Sequence, residues 1–393
     1  MPTYQKTNGS NRFCSWLETN FSGIDLNKLR IIVFGLGRGE AILCELENNE
    51  WMAIDCFLEP DTKEPVAIYY LKKLGINPKE KLTKVLLTHF HEDHILGGKE
   101  LIASASPQVK VYIPQAMTLY EMKKFFGEQR LYSGYQADNK LESFMEILDL
   151  LFAEQKKTIH VKQDSVVYGG SKMSTYALSP SEHDSQASLQ KFLALIAKTT
   201  DKSQLKVSKH APNSFSISLH VHYHCINKSA LLAGDLEICK SVDGGWLSAM
   251  NSECSPKHID IMKVSHHGSK TGYDVNTWDH HITPSTQAVM TTYDSSDLPQ
   301  EDMVNIMKDH TNNLYCATKP KYLKRKLAEQ SKNDNYKALK RKYGASQAKK
   351  MIELGLDRKI TNVEEHKFGY LEVEIDLNSA DITINKYLEA TSI

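Results

Sequence analysis

Residues 88–98, Thr-His-Phe-His-Glu-Asp-His-Ile-Leu-Gly-Gly, contain three histidines and an aspartate at a spacing suited to binding metal ions. The apolar residues 85–87 precede them and predict a buried strand that ends in a turn. Imidazole nitrogens and carboxylate oxygens are ligands of zinc and similar divalent ions. The first two histidines can share one metal, and the Asp-His pair can reach a second. The sequence therefore predicts a centre for two divalent ions, zinc by preference or manganese, with the ligands His89, His91, Asp93 and His94.

Two later strand ends offer further ligands. Residues 230–233 are apolar and run into Gly234-Asp235, where the glycine leaves room and the carboxylate is placed to bridge two ions. Residues 262–264 run into a His-His pair, and neighbouring side chains on a strand point in opposite directions. We predict that His267 binds metal and that His266 touches the substrate or supports the ligands.

Together these motifs resemble the metallo-beta-lactamase fold superfamily. Within it, the Asn213-x-x-Ser216 strand, the Leu-Leu-Ala-Gly-Asp strand and the Lys-Val-Ser-His-His-Gly-Ser-Lys segment resemble the hydrolase domain of ComEC-type DNA-uptake proteins and their stand-alone relatives. The resemblance covers roughly residues 29–318 and the strand pair at 369–387. It implies a four-layer αβ/βα sandwich with helical insertions and a site at one edge of the two sheets.

The resemblance also implies roles for residues outside these clusters. Asp55, which follows the strand-like residues 51–54, matches an early strand-end aspartate that orients the metal ligands. Many members place a lone histidine ligand between the first cluster and the bridging aspartate. Here the chain offers His183 or Asp184, and we include His183 among the predicted ligands. Residues 291–296 stand where relatives carry a substrate loop that ends in Gly-His-Pro, an ending this chain lacks.

The order of strand-like and helix-like segments fits this architecture. Strand-like segments dominate residues 29–57, helical spacing dominates 116–156, and strand-like segments return after residue 172. The Gly35-x-Gly37-x-Gly39 stretch precedes a strand instead of a helix, which favours a hairpin turn over a dinucleotide-binding loop. We divide the chain into an N-terminal arm (1–28), a hydrolase domain (29–318), a basic helical insertion (319–368) and strands that complete the domain (369–393).

Composition argues against several classes of protein. The 393 residues carry 48 basic and 48 acidic side chains, so net charge favours no partner by itself. The longest apolar runs are as short as a strand, and the first ten residues lack the apolar core of a signal peptide. We therefore expect a cytoplasmic protein without a membrane contact. The seven cysteines form no Cys-x-x-Cys pair, which argues against a disulfide framework or a cysteine-based zinc site.

A dense basic stretch with interleaved tyrosines lies at residues 319–350. Such a stretch suits contacts with a phosphate backbone and stacking on bases, although a solvated helix face is the commoner fate of a charge run. Because the chain is neutral overall, this concentration leaves the rest acidic, which favours a nucleic-acid partner. The predicted nucleic-acid contacts are Lys270, Lys321, Lys324, Arg325, Lys340 and Arg341.

Three functions are compatible with these residues. Two divalent ions lower the pKa of a water molecule and polarise a phosphoryl or carbonyl oxygen. We assign Asp93 to orient the water or take its proton, and His266 to assist at the leaving oxygen. The leading hypothesis is a phosphodiesterase or nuclease acting on DNA or RNA. The alternatives are a small-molecule hydrolase for a thioester, lactone or cyclic nucleotide, and a partner-regulated component of a multi-protein bacterial defence system.

Overall fold

Two β-sheets form the centre of the computed structural model, which describes residues 27–115, 139–198, 212–353 and 368–393. The strands are, in chain order, β1 (Lys28–Gly35), β2 (Glu40–Glu45), β3 (Trp51–Ile54), β4 (Leu82–Leu86), β5 (Lys110–Pro114), β6 (Lys157–Val161), β7 (Val166–Gly169), β8 (Met173–Ala177), β9 (Leu219–Tyr223), β10 (Lys228–Leu232), β11 (Ile261–Lys263), β12 (Gln287–Met290), β13 (Asn313–Cys316), β14 (Gly369–Asp376), β15 (Ile382–Leu388) and β16 (Thr391–Ser392). The first sheet has the order β15-β14-β1-β2-β3-β4-β5-β6, and the second has the order β16-β13-β12-β11-β10-β9-β8-β7.

Helices pack on the outer faces of both sheets, and two more helices lie in the described part of the basic insertion. They are α1 (Val66–Lys73), α2 (Pro78–Lys81), α3 (Glu92–Ile95), α4 (Gly98–Ser104), α5 (Asn139–Ala153), α6 (Glu182–Lys198), α7 (Gly245–Met250), α8 (Val275–His281), α9 (Glu301–Lys308), α10 (Lys321–Tyr343) and α11 (Ala345–Glu353). Apolar residues of α1, α4 and α5 pack on the first sheet, and those of α7, α8 and α9 pack on the second. A third apolar cluster fills the space between the two sheets.

The sequence of β1 shows why both faces of its sheet are covered. Ile31 and Val33 belong to the cluster between the sheets, whereas Ile32 and Phe34 belong to the cluster under the helices. Side chains alternate between the two faces of a strand, so a continuous apolar run can only be satisfied by burial on both sides. The structure confirms the predicted four-layer αβ/βα sandwich.

Most elements predicted from the sequence lie where they were expected. The glycine-rich stretch between β1 and β2 is a hairpin, because the two strands pair antiparallel with Gly35 opposite Glu40. The helical segment predicted at 116–156 contains α5, while its residues 116–138 lie outside the described residues, as do residues 1–26 of the predicted arm. The Asn213-x-x-Ser216 segment, predicted as a strand, instead overlaps a 3-10 turn over Pro212–Phe215, and β9 begins at Leu219.

The basic insertion joins the two sheets. It leaves β13 in the second sheet and returns as β14 in the first, and its described part consists of α10 and α11. The predicted insertion also includes residues 354–367, which lie outside the described part of the chain. The side chains of α10 are mostly exposed, which is typical of a helix that extends away from a core.

Of the helices within the described ranges, none combines the length and apolar character that a membrane crossing requires.

Candidate metal centre

The ends of five strands meet at one edge of the sandwich. In the first sheet, β3 and β4 are parallel neighbours, and in the second sheet β10, β11 and β12 are parallel neighbours. Parallel strands place their carboxyl ends at the same edge, where polar side chains can converge. The backbone N–H of Ile217 donates to the carbonyl oxygen of Thr88 at 3.1 Å, so the two sheets are joined directly at this edge.

A one-turn helix brings the two ends of the first histidine motif together. β4 delivers His89, and α3 then turns the chain so that His94 faces the same point. Their Nε2 atoms lie 3.7 and 3.4 Å from Asp235 Oδ2, which follows β10 in the other sheet. All three side chains are buried, and their ligand atoms lie within 4.8 Å of one another.

A second group of candidate ligands shares His94 with the first. Asp93 Oδ2 lies 3.6 Å from His94 Nε2 and 3.6 Å from His267 Nε2. The three ligand atoms again lie within 4.8 Å of one another. Because one imidazole nitrogen binds only one ion, His94 belongs to a single coordination shell, and the two groups together offer five candidate ligands, His94 included.

Asp55 orients two of these histidines through their other ring nitrogens. His94 Nδ1 lies 2.6 Å from Asp55 Oδ2. The Thr88 hydroxyl donates to the same oxygen at 2.6 Å and lies 2.9 Å from His89 Nδ1, whose N–H it accepts. Histidines that bind metals are typically held in this way, because the bond fixes the tautomer and leaves the opposite nitrogen available. The position of Asp55 therefore matches the orienting role implied by the resemblance.

Three buried atoms of the candidate ligands have no hydrogen-bond partner among the described residues. They are His94 Nε2, His267 Nε2 and Asp235 Oδ1. His267 Nδ1 is engaged, since it lies 2.7 Å from Thr291 Oγ1. Buried polar atoms are normally satisfied, and imidazole nitrogen with carboxylate oxygen is a zinc-binding donor set. The residues present therefore fit a divalent metal ion.

The electrostatics of the cluster also favour a cation. Burial lowers the pKa of His94, but the carboxylates of Asp235, Asp55 and Asp93 outweigh burial and raise it well above its ordinary value. Burial raises the pKa of Asp235, but His94 lowers it more, so the carboxylate stays ionised. Burial, together with His94, holds the pKa of His89 well below its ordinary value, so this imidazole is neutral. The carboxylates that favour a proton on His94 would equally favour a metal ion, which would displace that proton on binding.

The two adjacent histidines occupy a turn and not the strand that was predicted for them. Ser265–Gly268 is a 3-10 turn in which His266 and His267 have left-handed φ angles of 45° and 53°. Such conformations are costly for residues other than glycine and concentrate at functional sites. His267 is buried and joins the candidate ligands, whereas His266 is half-buried with Nδ1 2.9 Å from Glu237 Oε1. The structure thus places His267, the predicted ligand of the pair, in the cluster.

Two predicted ligands lie outside the groups of candidate ligands. His91 is half-buried, with Nδ1 3.0 Å from His89 Nε2, at the border of the cluster. His183 is exposed in the first turn of α6, and this placement does not support it as a ligand. Asp184 is the buried residue of that turn and accepts hydrogen bonds from Ser181 Oγ and Gly245 N, both at 2.9 Å. Neighbours on a helix point about 100° apart, which allows Asp184 to be buried while His183 faces solvent.

Sequence reasoning missed a buried group next to the ligands. Glu40 joins two further clusters of candidate ligand atoms, one with Asp235 and His267 and one with Asp55 and His94. Its Oε2 lies 2.5 Å from Nζ of Lys263, and both side chains are buried. An acidic residue after a glycine-rich turn carries little signal in a single sequence. The alternation of β11, which sends Lys263 to the same face as the buried Ile261, was the available clue.

The predicted nucleic-acid contacts fall into two sets. Near the start of α10, Arg325 lies 2.6 Å from Asp297 Oδ2, and Lys321 Nζ donates to the carbonyl oxygen of Asp294 at 2.5 Å. Lys270 likewise lies 3.0 Å from Asp302. The other set is exposed and forms no ion pair with any described residue; its members are Lys324, Lys340 and Arg341.

Part of the chain matches the model of a known protein family. Residues 35–172 match the family model of the metallo-beta-lactamase superfamily. This match supports the superfamily predicted from the order of the motifs. The matched part contains the first histidine cluster and Asp55, whereas Asp235 and His267 lie beyond it. No curated protein matches the chain.

Several solved structures align with the chain at low similarity. A metallo-beta-lactamase mutant from Cronobacter sakazakii is 13% identical, with a TM-score of 0.29, and the alignment covers 52% of this chain and 60% of that one. The metallo-beta-lactamase SMB-1 bound to 2-mercaptoethanesulfonate is 15% identical, with a TM-score of 0.32 and coverage of 60% and 76%. Zn²⁺-bound PqqB from Methylobacterium extorquens is 11% identical, with a TM-score of 0.36 and coverage of 70% and 85%.

Proposed function

We propose that this protein is a metal-dependent phosphodiesterase that cleaves nucleic acid. The observation that carries the hydrolase part is the buried cluster in which His94 Nε2, His267 Nε2 and Asp235 Oδ1 lack hydrogen-bond partners among the described residues. The nucleic-acid part rests on the basic insertion, which begins beside this cluster. The resemblance of the His-His-Gly-Ser segment to ComEC-type hydrolase domains agrees with both parts.

The side chains at the cluster have distinct tasks in this proposal. His89, His94, Asp93, Asp235 and His267 would hold two divalent ions, zinc by preference, with His91 at the border. When bound, such ions lower the pKa of a water molecule and stabilise charge on phosphoryl oxygens. Burial raises the pKa of Asp93, but His94 and His267 lower it far more, so the carboxylate stays ionised. Asp93 therefore orients the attacking water by accepting a hydrogen bond from it.

His266 is assigned to the leaving oxygen. Its side chain is 24% exposed, so substrate can reach it, and its Nε2 lies 4.0 Å from Asp235 Oδ2. Burial lowers the pKa of His266, but Glu237 and Asp235 raise it above its ordinary value. Glu237 holds the ring at Nδ1, and Nε2 lies 3.4 Å from Asn213 Nδ2; from this position the Nε2 N–H would donate to the departing oxygen.

The insertion connects the cluster to a distant positive surface. Tyr293 stacks on the His267 ring with centroids 5.3 Å apart, and the next residue, Asp294, accepts a hydrogen bond from Lys321 at the start of α10. From there α10 rises about 1.5 Å per residue, which places Lys340 about 28 Å farther along the helix axis. That distance corresponds to about eight base pairs of duplex.

Charge is concentrated on helices α10 and α11 of the basic insertion, residues 321–353, which form a basic arm. Residues 321–353 contain eleven lysines and arginines and three acidic residues, a net charge of +8 in a chain whose total is zero. The remaining residues therefore carry a net charge of −8. An arm of this kind suits a long polyanion better than a small substrate, because a small ester does not reach the distal charges.

The test is cleavage of single- and double-stranded DNA and RNA by purified protein with zinc or manganese. The Asp93→Ala/His94→Ala variant is the control, and we expect it to lose metal-dependent cutting. Bis(p-nitrophenyl) phosphate serves as a phosphodiester too small to reach the arm. Intact nucleic acid despite two bound ions per chain would refute a nuclease that acts alone and would favour a small-molecule substrate or an enzyme that awaits a protein partner.

A second variant tests the arm. Lys340→Glu/Arg341→Glu should weaken binding of long nucleic acid and reduce the slope of log affinity against log salt by about 1.8, at about 0.9 per lost phosphate contact. Hydrolysis of bis(p-nitrophenyl) phosphate should not change. Equal effects of the variant on long and small substrates would exclude the arm as a nucleic-acid surface.

A further inference from the structure

We infer that the buried pair of Lys263 and Glu40 is a positioning unit that holds the metal ligands of both sheets in their binding orientation. Lys263 ends β11 in the second sheet, and Glu40 begins β2 in the first. The two side chains are 0% and 1% exposed, and Nζ lies 2.5 Å from Oε2. The inference rests on the metal centre of the proposed function and not on its substrate.

One contact of the pair orients His267. The Thr291 hydroxyl donates to Glu40 Oε2 at 2.8 Å. A hydroxyl has one proton, so Thr291 must accept the N–H of His267 Nδ1, which lies 2.7 Å away. The proton of His267 is thereby placed on Nδ1, and Nε2 presents its lone pair to the cluster.

A second contact fixes the approach to Asp235. Lys263 Nζ donates to the carbonyl oxygen of Gly234 at 3.1 Å. Gly234 has a left-handed φ of 52°, and a Cβ there would lie 2.7 Å from Ser216 Oγ. Because this carbonyl belongs to the peptide group that leads into Asp235, the bond limits rotation of the backbone that carries the carboxylate.

The chain uses the same arrangement twice. Asp55 accepts from Thr88, which accepts from His89, just as Glu40 accepts from Thr291, which accepts from His267. The carboxylates of both relays lie in the first sheet. Only the relay from Glu40 crosses to the second sheet, and only its carboxylate is neutralised by a buried lysine.

Burial of such a pair is poor evidence for a role in stability alone. Desolvation of two charges offsets most of their attraction, and apolar replacements are often neutral or stabilising. Oε2 of Glu40 already receives the ammonium and the threonine hydroxyl, whereas His94 Nε2, His267 Nε2 and Asp235 Oδ1 have no partner among the described residues. Positioning explains why the charges lie beside the cluster.

The test measures zinc affinity, by competition with a chromophoric chelator, and the urea midpoint of the metal-free protein. Thr291→Val removes the hydroxyl with little change of shape, and Thr291→Ser keeps it. We expect the valine variant to lose about 10- to 100-fold in zinc affinity, as is typical when a group that orients a ligand is removed. The serine variant should keep the wild-type affinity. Equal affinity in the two variants would overturn the inference.

The lysine is tested against a matched ion pair. Lys263→Met should lower zinc affinity and the urea midpoint, because it leaves the Glu40 carboxylate buried without a partner. Adding Glu40→Gln removes that unpaired charge and should restore the midpoint without restoring zinc affinity. The control is Arg30→Met, which breaks the pair of Arg30 with Glu45, 2.7 Å apart, on the helix-covered face of the first sheet. It should lower the midpoint and leave zinc affinity unchanged. Wild-type affinity in Lys263→Met would overturn the inference, and absence of zinc binding by the wild-type protein would refute the metal centre itself.

Discussion

Replacing Asp55 by asparagine should weaken metal binding without removing a ligand. Three donors converge on this buried carboxylate: the backbone N–H and the hydroxyl of Thr88, at 2.7 and 2.6 Å, and His94 Nδ1 at 2.6 Å. Asparagine has nearly the same shape and tolerates the left-handed φ of 57° found at this position. The substitution therefore changes hydrogen bonding and charge while the backbone conformation stays accessible.

The size of the effect follows from the count of donors and acceptors. Asparagine offers one acceptor oxygen, so its amide group must face at least one of the three donors. A buried donor left without an acceptor costs about 1–3 kcal/mol in the free energy of unfolding. Losing the group that orients His94 directly and His89 through Thr88 should lower metal affinity about 10- to 100-fold, which corresponds to about 1.4–2.7 kcal/mol.

The assay pairs zinc titration with urea denaturation of the metal-free protein. Asp184→Asn is the matched control, because Asp184 is also buried and also accepts hydrogen bonds, from Ser181 and Gly245, but lies outside the ligand groups. Both variants should lose stability. Only the Asp55 variant should lose zinc affinity. Wild-type zinc affinity in a destabilised Asp55→Asn protein would refute the reasoning, because it would show that the histidines need no orienting carboxylate.

Three further predictions follow from the same contacts. His183→Ala should leave zinc affinity and stoichiometry unchanged because the side chain is exposed, and elemental analysis showing one ion fewer per chain would contradict this. Burial raises the pKa of Glu47, but hydrogen bonds from the backbone amide of Lys172 and its neighbours lower it below the ordinary value. The Glu47 carboxylate therefore stabilises the fold above its pKa in the unfolded chain, and this stabilisation is lost as the pH falls through its pKa in the folded protein. The urea midpoint of Glu47→Gln should therefore fall less than that of the wild-type protein between about pH 5 and pH 3. Midpoints of the two proteins that fall in parallel would exclude this. Removing metal with a chelator should lower the melting temperature, since an ion at 100 times its Kd contributes about 2.7 kcal/mol; an unchanged melting temperature would mean that no ion binds the folded state.

Local motifs were readable from the sequence because their chemistry is contained within a few residues. The four candidate ligands of residues 89–94 are joined by one strand end and one helical turn, so their types and spacing predicted a shared location. The same logic predicted Asp235 and His267, each placed just after an apolar strand. The order of strand-like and helix-like segments fitted two packed sheets with helices outside, whereas the four-layer sandwich itself was implied by the resemblance to the superfamily.

Only the tertiary structure shows which residues hydrogen-bond to the candidate ligands from distant parts of the sequence, because those contacts join segments far apart in the chain. Glu40, Lys263 and Thr291 are ordinary residues in their local sequence, and the contacts on which their inferred role depends form where β2 meets the ends of β11 and β12. His183 had the right chemistry, but α6 turns it to solvent. The charge of the insertion was visible in the sequence, whereas the contact of Lys321 beside the Tyr293 loop required the fold. Composition records which groups a chain contains, and packing determines which of them are desolvated together, where hydrogen bonds and charges have their largest effect.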